Sequence, residues 1–154
     1  EVTSTRATMS NWPTRQELNL DEKRIVELTD SDAAPQVVDE SLVTAMRERA
    51  VGVVEGYCEA ADYVVPFVNP PPLVRMWAAA LWRYFLFEHR PQMETPDSVT
   101  SSYNQAIRAL EKVAAKQLPL AAPQKKSSLP PSQSAGGVVE NIERAFGRRR
   151  DGLG

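Results

Sequence analysis

Few residues in this chain have the type and spacing that catalysis requires. The single histidine, His89, has no cysteine or carboxylate at the spacing of a metal site. Glu55 and Glu59 lie four residues apart, and we interpret this pair as a solvated or subunit-facing helix surface. No glycine-rich phosphate loop or nucleophile-elbow pattern occurs. We therefore predict a protein that is not an enzyme and holds no metal or cofactor. The enzymatic alternative is a site built from Glu55, Glu59 and His89.

The bulk composition favours one domain without a membrane span. The chain has 154 residues and a net charge of −2, so as a whole it does not resemble a nucleic-acid binder. The single cysteine excludes an internal disulfide. The apolar run 73–87 is shorter than the roughly 20 residues of a spanning helix and contains Arg75 and Arg83. Residues 1–10 lack the apolar core of a signal peptide, so we expect none.

The most apolar segment is 69–88, in which three prolines lead into a helix-length run. Proline is tolerated in a first helical turn, so a helix is expected to start within 70–73 and to end near Glu88. A helix that is apolar nearly all round is normally central, and Trp77, Trp82 and Phe85 are the predicted core. Arg83, inside this helix, requires a carboxylate, a carbonyl or a solvent edge.

Four other helices are expected around this central one. Short helices are predicted near Thr14 and over 21–28, and a long helix over 39–61 with apolar residues at three-four spacing. Another is predicted from Pro96 to Leu118, with Thr95 as its N-cap. The expected fold is thus an all-α bundle of three long and two short helices.

Two glycines are unusual inside the predicted helix 39–61. Gly52 and Gly56 each cost about 1 kcal/mol relative to alanine in a helix interior. They lie four residues apart, so they share one face of the helix. We interpret them as positions where a neighbouring backbone approaches closely, and predict that they pack against another subunit.

The C-terminal part differs from the rest in composition and charge. Residues 119–137 are rich in proline and serine and cannot form a core alone. From Pro119 onward, six basic residues against three acidic ones give +3, which leaves −5 for the rest of the −2 chain. The predicted organisation is a flexible segment 1–11, a helical domain 12–118 and an arm 119–154.

The arm carries the predicted partner-binding residues. Val138, Val139, Ile142 and Phe146 have the spacing of one side of a short helix, and a basic cluster follows. The residues proposed to dock a partner are Ile142, Phe146, Arg148, Arg149 and Arg150. A solvated terminus, an acidic protein partner and nucleic-acid phosphate all remain open as interpretations of the basic cluster.

The order of these segments resembles that of the Mu-like phage head–tail joining proteins, an all-helical family of neck adaptors. The resemblance covers about 12–118 and rests on the order and spacing of short pieces rather than on one motif. These pieces are Trp12-Pro13-Thr14, Glu27-Leu28-Thr29-Asp30, Val38-Asp39, Glu55-Gly56-Tyr57, Tyr63, Pro66, Pro71-Pro72-Leu73, Trp82-Arg83-Tyr84, Tyr103, Ala106 and Leu110.

The resemblance implies a structural role in the virion neck, after assembly in the host cytoplasm. Copies of the chain would form a homo-oligomeric ring, a dodecamer, under the portal protein. The ring would extend the DNA channel, with DNA only passing through, and dock the next neck or tail-terminator protein. The alternative is a small helical nucleic-acid-binding protein that uses the basic arm.

Overall fold

The computed structural model describes residues 11–30 and 36–125, and in these ranges the chain is all-α, as predicted. An isolated bridge between Tyr63 and Gln124 is its only β-type pairing within those ranges. The elements are a 3-10 turn Arg15–Leu18, α1 Glu22–Thr29, α2 Glu40–Ala60, α3 Pro72–Glu88 and α4 Asp97–Ala114.

Local capping determines where the N-terminal elements begin. The carboxylate of Glu17 accepts a hydrogen bond from the Thr14 backbone N–H at 2.6 Å, in the capping box that the spacing predicts. Asp21 caps α1 by accepting from the Arg24 N–H at 3.0 Å. Asp39 caps α2 by accepting from the backbone N–H groups of Ser41 and Leu42. These contacts depend on neighbours in sequence, so the helix starts were predictable to within a residue or two.

Helix α3 is the centre of the molecule. It packs against α2, α4, the 3-10 turn and α1. The predicted core residues are buried. The exposed fractions of Trp77, Trp82 and Phe85 are 5%, 3% and 4%. The Trp82 indole N–H donates to the Val43 carbonyl of α2 at 3.0 Å, and the rings of Tyr84 and Tyr103 stack at 4.0 Å between α3 and α4. The apolar run therefore forms the core of a three-helix arrangement.

Helix α4 starts one residue later and ends earlier than the sequence suggests. Pro96 occupies the cap position, one residue before the first helical residue Asp97, so Thr95 is not the cap. The helix ends at Ala114 because Lys116 adopts a left-handed backbone with φ of 60°. The N–H groups of Gln117 and Leu118 then bond to the Lys112 carbonyl and close the helix end.

Hydrogen bonds join the segment that follows α4 to the connector between α2 and α3. The Leu120 N–H donates to the Tyr63 hydroxyl at 2.7 Å, and the Val64 N–H donates to the Pro123 carbonyl at 2.9 Å. The Lys125 N–H donates to the Asp62 carbonyl. Residues 120–125 thus lie along the connector between α2 and α3. The connector supplies the hydrogen-bond partners that this proline-rich segment lacks within itself. The composition of the segment does not reveal these contacts.

The bond from Trp82 to Val43 gives a test of the α2–α3 contact. Trp82→Phe keeps most of the ring but removes the indole donor and leaves a small void, so we expect a loss of about 1–3 kcal/mol in unfolding free energy. Chemical denaturation measures it. Trp77→Phe, at a tryptophan of similar burial, is the control for ring size. Equal losses in the two variants would contradict a specific role for the Trp82 bond.

Candidate functional site

The three residues of the enzymatic alternative are held by separate structural contacts. Glu55 accepts a hydrogen bond from the Phe67 backbone N–H at 3.0 Å. Glu59 pairs with Lys125 at 3.5 Å, and His89 lies exposed at the C-terminal cap of α3. Residues 11–30 and 36–125 contain no group of three metal-binding side chains. The two carboxylates therefore help to hold the connector and the segment after α4 against α2.

Burial raises the pKa of two side chains on α2. Desolvation raises the pKa of the half-buried Glu55 carboxyl, the nearby charge of Glu59 adds to the rise, and the Phe67 N–H opposes it. Burial also raises the pKa of the Cys58 thiol to about 11, with a smaller contribution from Glu55. Cys58 has no exposed surface, so this thiol is a packed core group rather than a nucleophile.

A cleft of about 420 Å³ lies between α3 and α4, beside the 3-10 turn. Its volume is at the low end of the roughly 300–1,000 Å³ of small-ligand sites. Helix α3 lines it with Pro72, Met76, Ala80 and Arg83, and α4 lines it with polar side chains that include Gln105. The cleft thus has an apolar lining from α3, with Arg83 as a cationic residue and Glu17 as an acidic one.

The positions of the charges around the cleft follow from contacts with the 3-10 turn. The Arg83 Nε donates to the Leu18 carbonyl, and its Nη2 lies 3.5 Å from the Glu17 carbonyl. The Glu17 carboxylate itself is occupied by Arg75, at 2.9 and 3.0 Å. Within the described ranges Arg83 has no ion pair, and desolvation alone lowers its pKa. Arg83 therefore lies in the cleft without pairing with Glu17, the acidic residue that also lines it.

Apolar side chains are exposed close to the start of α3. Met76 is 58% exposed, Leu73 40% and Val68, in the preceding connector, 67%. Single exposed apolar residues are ordinary, but three near the entry to the most apolar helix are a candidate contact surface.

The two glycines of α2 face open space. No atom lies within 4 Å of the Cβ that either Gly52 or Gly56 would carry, and both residues are exposed. A close approach within the chain is therefore not the reason for these glycines, which corrects that part of the interpretation. Their packing against another subunit stays a prediction.

The predicted docking residues Ile142, Phe146 and Arg148–Arg150 lie outside the described residues. Sequence reasoning identified Arg83 as a charge that needs a partner, but it missed the cleft itself. The signal that was available is the pair Ser102 and Gln105, polar residues three apart that line the cleft from α4.

No helix in the described ranges is long and apolar enough to cross a membrane. The described residues define a small all-α protein with a cleft between α3 and α4 and exposed apolar residues beside it. A family comparison agrees with this class: residues 14–139 match the family described as Bacteriophage Mu, Gp36. The chain belongs to this family and is therefore a Mu-like phage protein, of a structural or morphogenetic kind. No curated protein matches it significantly.

The raised pKa of Glu55 predicts a pH-dependent effect of Glu55→Gln. A carboxyl whose folded-state pKa is raised binds its proton more tightly when folded, so wild-type stability falls as pH rises above the ordinary value of 4.5. Glutamine keeps an acceptor for the Phe67 N–H without the charge. We expect melting temperatures to be similar near pH 4 and the variant to be more stable at pH 7. Glu48→Gln, at an exposed position of α2, is the control. An advantage that shrinks as pH rises would contradict this account.

Proposed function

We propose that the protein is a structural head-to-tail adaptor of a tailed phage, and that copies of it form a ring under the portal. The observation that carries this proposal is the family match over residues 14–139, which makes the chain a Mu-like phage protein. The ring extends the DNA channel and offers a docking surface to the next neck or tail-terminator protein. The role is one of assembly and involves no catalysis.

The surface of the body supports the assembly part of this proposal. A ring of identical subunits uses a heterologous contact, in which two different faces of the chain meet. One candidate face is the open stripe of α2 at Gly52 and Gly56, where a neighbouring helix can approach without meeting side chains. The other is the exposed apolar surface at Val68 and Leu73. Both faces are exposed in the single chain and are therefore available for contact with a neighbouring copy.

The charge distribution supports the channel part. The chain up to residue 118 carries −5, and the remainder carries +3. An acidic wall repels the phosphate backbone, so DNA passes along it without being held. The basic residues after Pro119 are suited to an acidic protein surface, and we propose the portal as that partner.

Particle mass tests the adaptor role directly. We expect native mass spectrometry and negative-stain microscopy to show rings, either of the protein alone or after mixing with the portal of the same phage. A strict monomer that binds neither portal nor DNA would refute the proposal. Binding to DNA that falls steeply with salt and is lost on deleting 138–154, without rings, would instead favour the nucleic-acid alternative.

The glycine stripe provides variants that separate folding from assembly. Gly52→Ala and Gly56→Ala should each stabilise the monomer by about 1 kcal/mol, because alanine favours the helix and meets no atom. Gly52→Leu should also fold but place bulk on the stripe and reduce ring formation. Asn104→Leu, at an exposed position of α4, is the matched control. If Gly52→Leu and Asn104→Leu assemble equally well, the stripe is not a subunit contact.

A further inference from the structure

Exposed apolar side chains border the cleft on the α3 side. Leu73 and Met76 are 40% and 58% exposed, and with Ala80 they share one face of the helix at the i, i+3 and i+7 spacing. Met76 and Ala80 also line the cleft of about 420 Å³. We call this face together with the cleft the socket. The socket has room for an apolar side chain of another molecule.

The charges at the socket sum to one positive charge. The acidic residue Glu17 lines the cleft, but its carboxylate binds the Arg75 guanidinium at 2.9 and 3.0 Å. Arg83 lines the same cleft, donates to the Leu18 carbonyl, and forms no ion pair within the described part of the chain. Two arginines against one glutamate leave +1. An occupant with an apolar tip and net negative charge beside it therefore complements the socket.

Val37 is the most exposed large apolar side chain in the described ranges, and it lies on a fixed segment. It is 70% exposed, whereas its neighbour Val38 packs against the core. The Val37 N–H donates to the Asp30 carboxylate at 3.2 Å. The Asp39 N–H donates to the Thr29 hydroxyl at 3.1 Å. Because both bonds anchor the segment to the end of α1, Val37 is held in place before a partner binds, which reduces the entropy lost on binding.

Acidic residues lie close to Val37 along the chain. Asp39 and Glu40 follow it by two and three positions. Glu40 pairs with Arg15 at 2.7 Å, and Arg15 also pairs with Glu22 at 2.9 Å. Three carboxylates against one guanidinium leave −2. The segment thus combines an exposed apolar side chain with negative charge, which is the character that complements the socket.

We propose that Val37 of one copy inserts into the socket of the next copy, where it contacts Met76, and that the carboxylates beside it face Arg83. The two surfaces differ, so the contact is heterologous, as a closed ring requires. The chain continues from Val37 into α2, where the exposed Ala45 and Gly52 share one face seven residues apart, so the contact extends onto the glycine stripe. This proposal rests on the adaptor role for the association of copies.

Disulfide trapping between copies tests the contact. Full chains with Val37→Cys are assembled with chains carrying Met76→Cys, alone or on the portal of the same phage, so that a link between the two positions forms only between copies. Cys58 is buried, with its pKa raised to about 11, so it does not compete. After oxidation, peptide mass spectrometry should find the 37–76 link at least about tenfold above the link to a control cysteine at Asn104, an exposed position outside the cleft.

The direction of the contact and its charge are tested separately. Chains that carry both Val37→Cys and Met76→Cys should form covalent series longer than two, because each copy then links to two neighbours. Val37→Glu and Val37→Lys alter the same exposed position with opposite charge, so both should fold with wild-type melting temperatures. At low salt the lysine variant should associate about fivefold more weakly than the glutamate variant, and this difference should disappear near 1 M salt.

The outcomes separate this contact from the adaptor role. Rings without the 37–76 link, covalent dimers that grow no further, or equal association of the lysine and glutamate variants would each overturn the socket contact and leave the adaptor role intact. A 37–76 link in particles without any portal binding would support the contact and count against the adaptor role. A protein that neither forms rings nor binds the portal would overturn both.

Discussion

The burial of α3 is the constraint on which the rest of the structure depends. A helix that is apolar nearly all round loses free energy wherever it meets water, so other elements must cover it on several sides. Helices α2 and α4 cover two sides, and the 3-10 turn and α1 cover a third. The buried rings of Trp77, Trp82 and Phe85 fill the space between them. Near Met76 these elements do not cover α3, and the Met76 side chain is 58% exposed.

Specific polar bonds fix how the covering elements are placed. Hydrophobic contact alone is non-directional, whereas the bond from the Trp82 indole to the Val43 carbonyl fixes α2 against α3 at one point. The guanidinium of Arg49 lies 4.0 Å over the Phe85 ring and also pairs with Glu88, farther along α3. On the opposite side, Arg83 holds the carbonyls of the 3-10 turn. The Arg83 guanidinium that binds this turn is therefore also the cationic group of the cleft.

Three side chains of α2 that could take part in chemistry have structural contacts instead of free surroundings. Glu55 accepts a hydrogen bond from the connector, Glu59 pairs with Lys125, and Cys58 is buried in the core. The surface of the described body includes the exposed glycines of α2, the exposed apolar residues near the start of α3, and the cleft that contains Arg83. The family membership, which makes the chain a Mu-like phage protein of a structural or morphogenetic kind, agrees with the assembly role proposed above.

The sequence by itself determined the all-α class, the order of the helices and the start of each to within a residue or two, because caps and prolines act through neighbouring backbone groups. It also marked Arg83 as needing a partner. Only the tertiary structure decided that this partner is the Leu18 carbonyl and that Glu17 meets Arg75, across 65 and 58 residues of chain. It also decided that residues 120–125 lie along the connector. These contacts depend on how helices cross, and crossing geometry is set by the packing of the whole core, which no local pattern encodes.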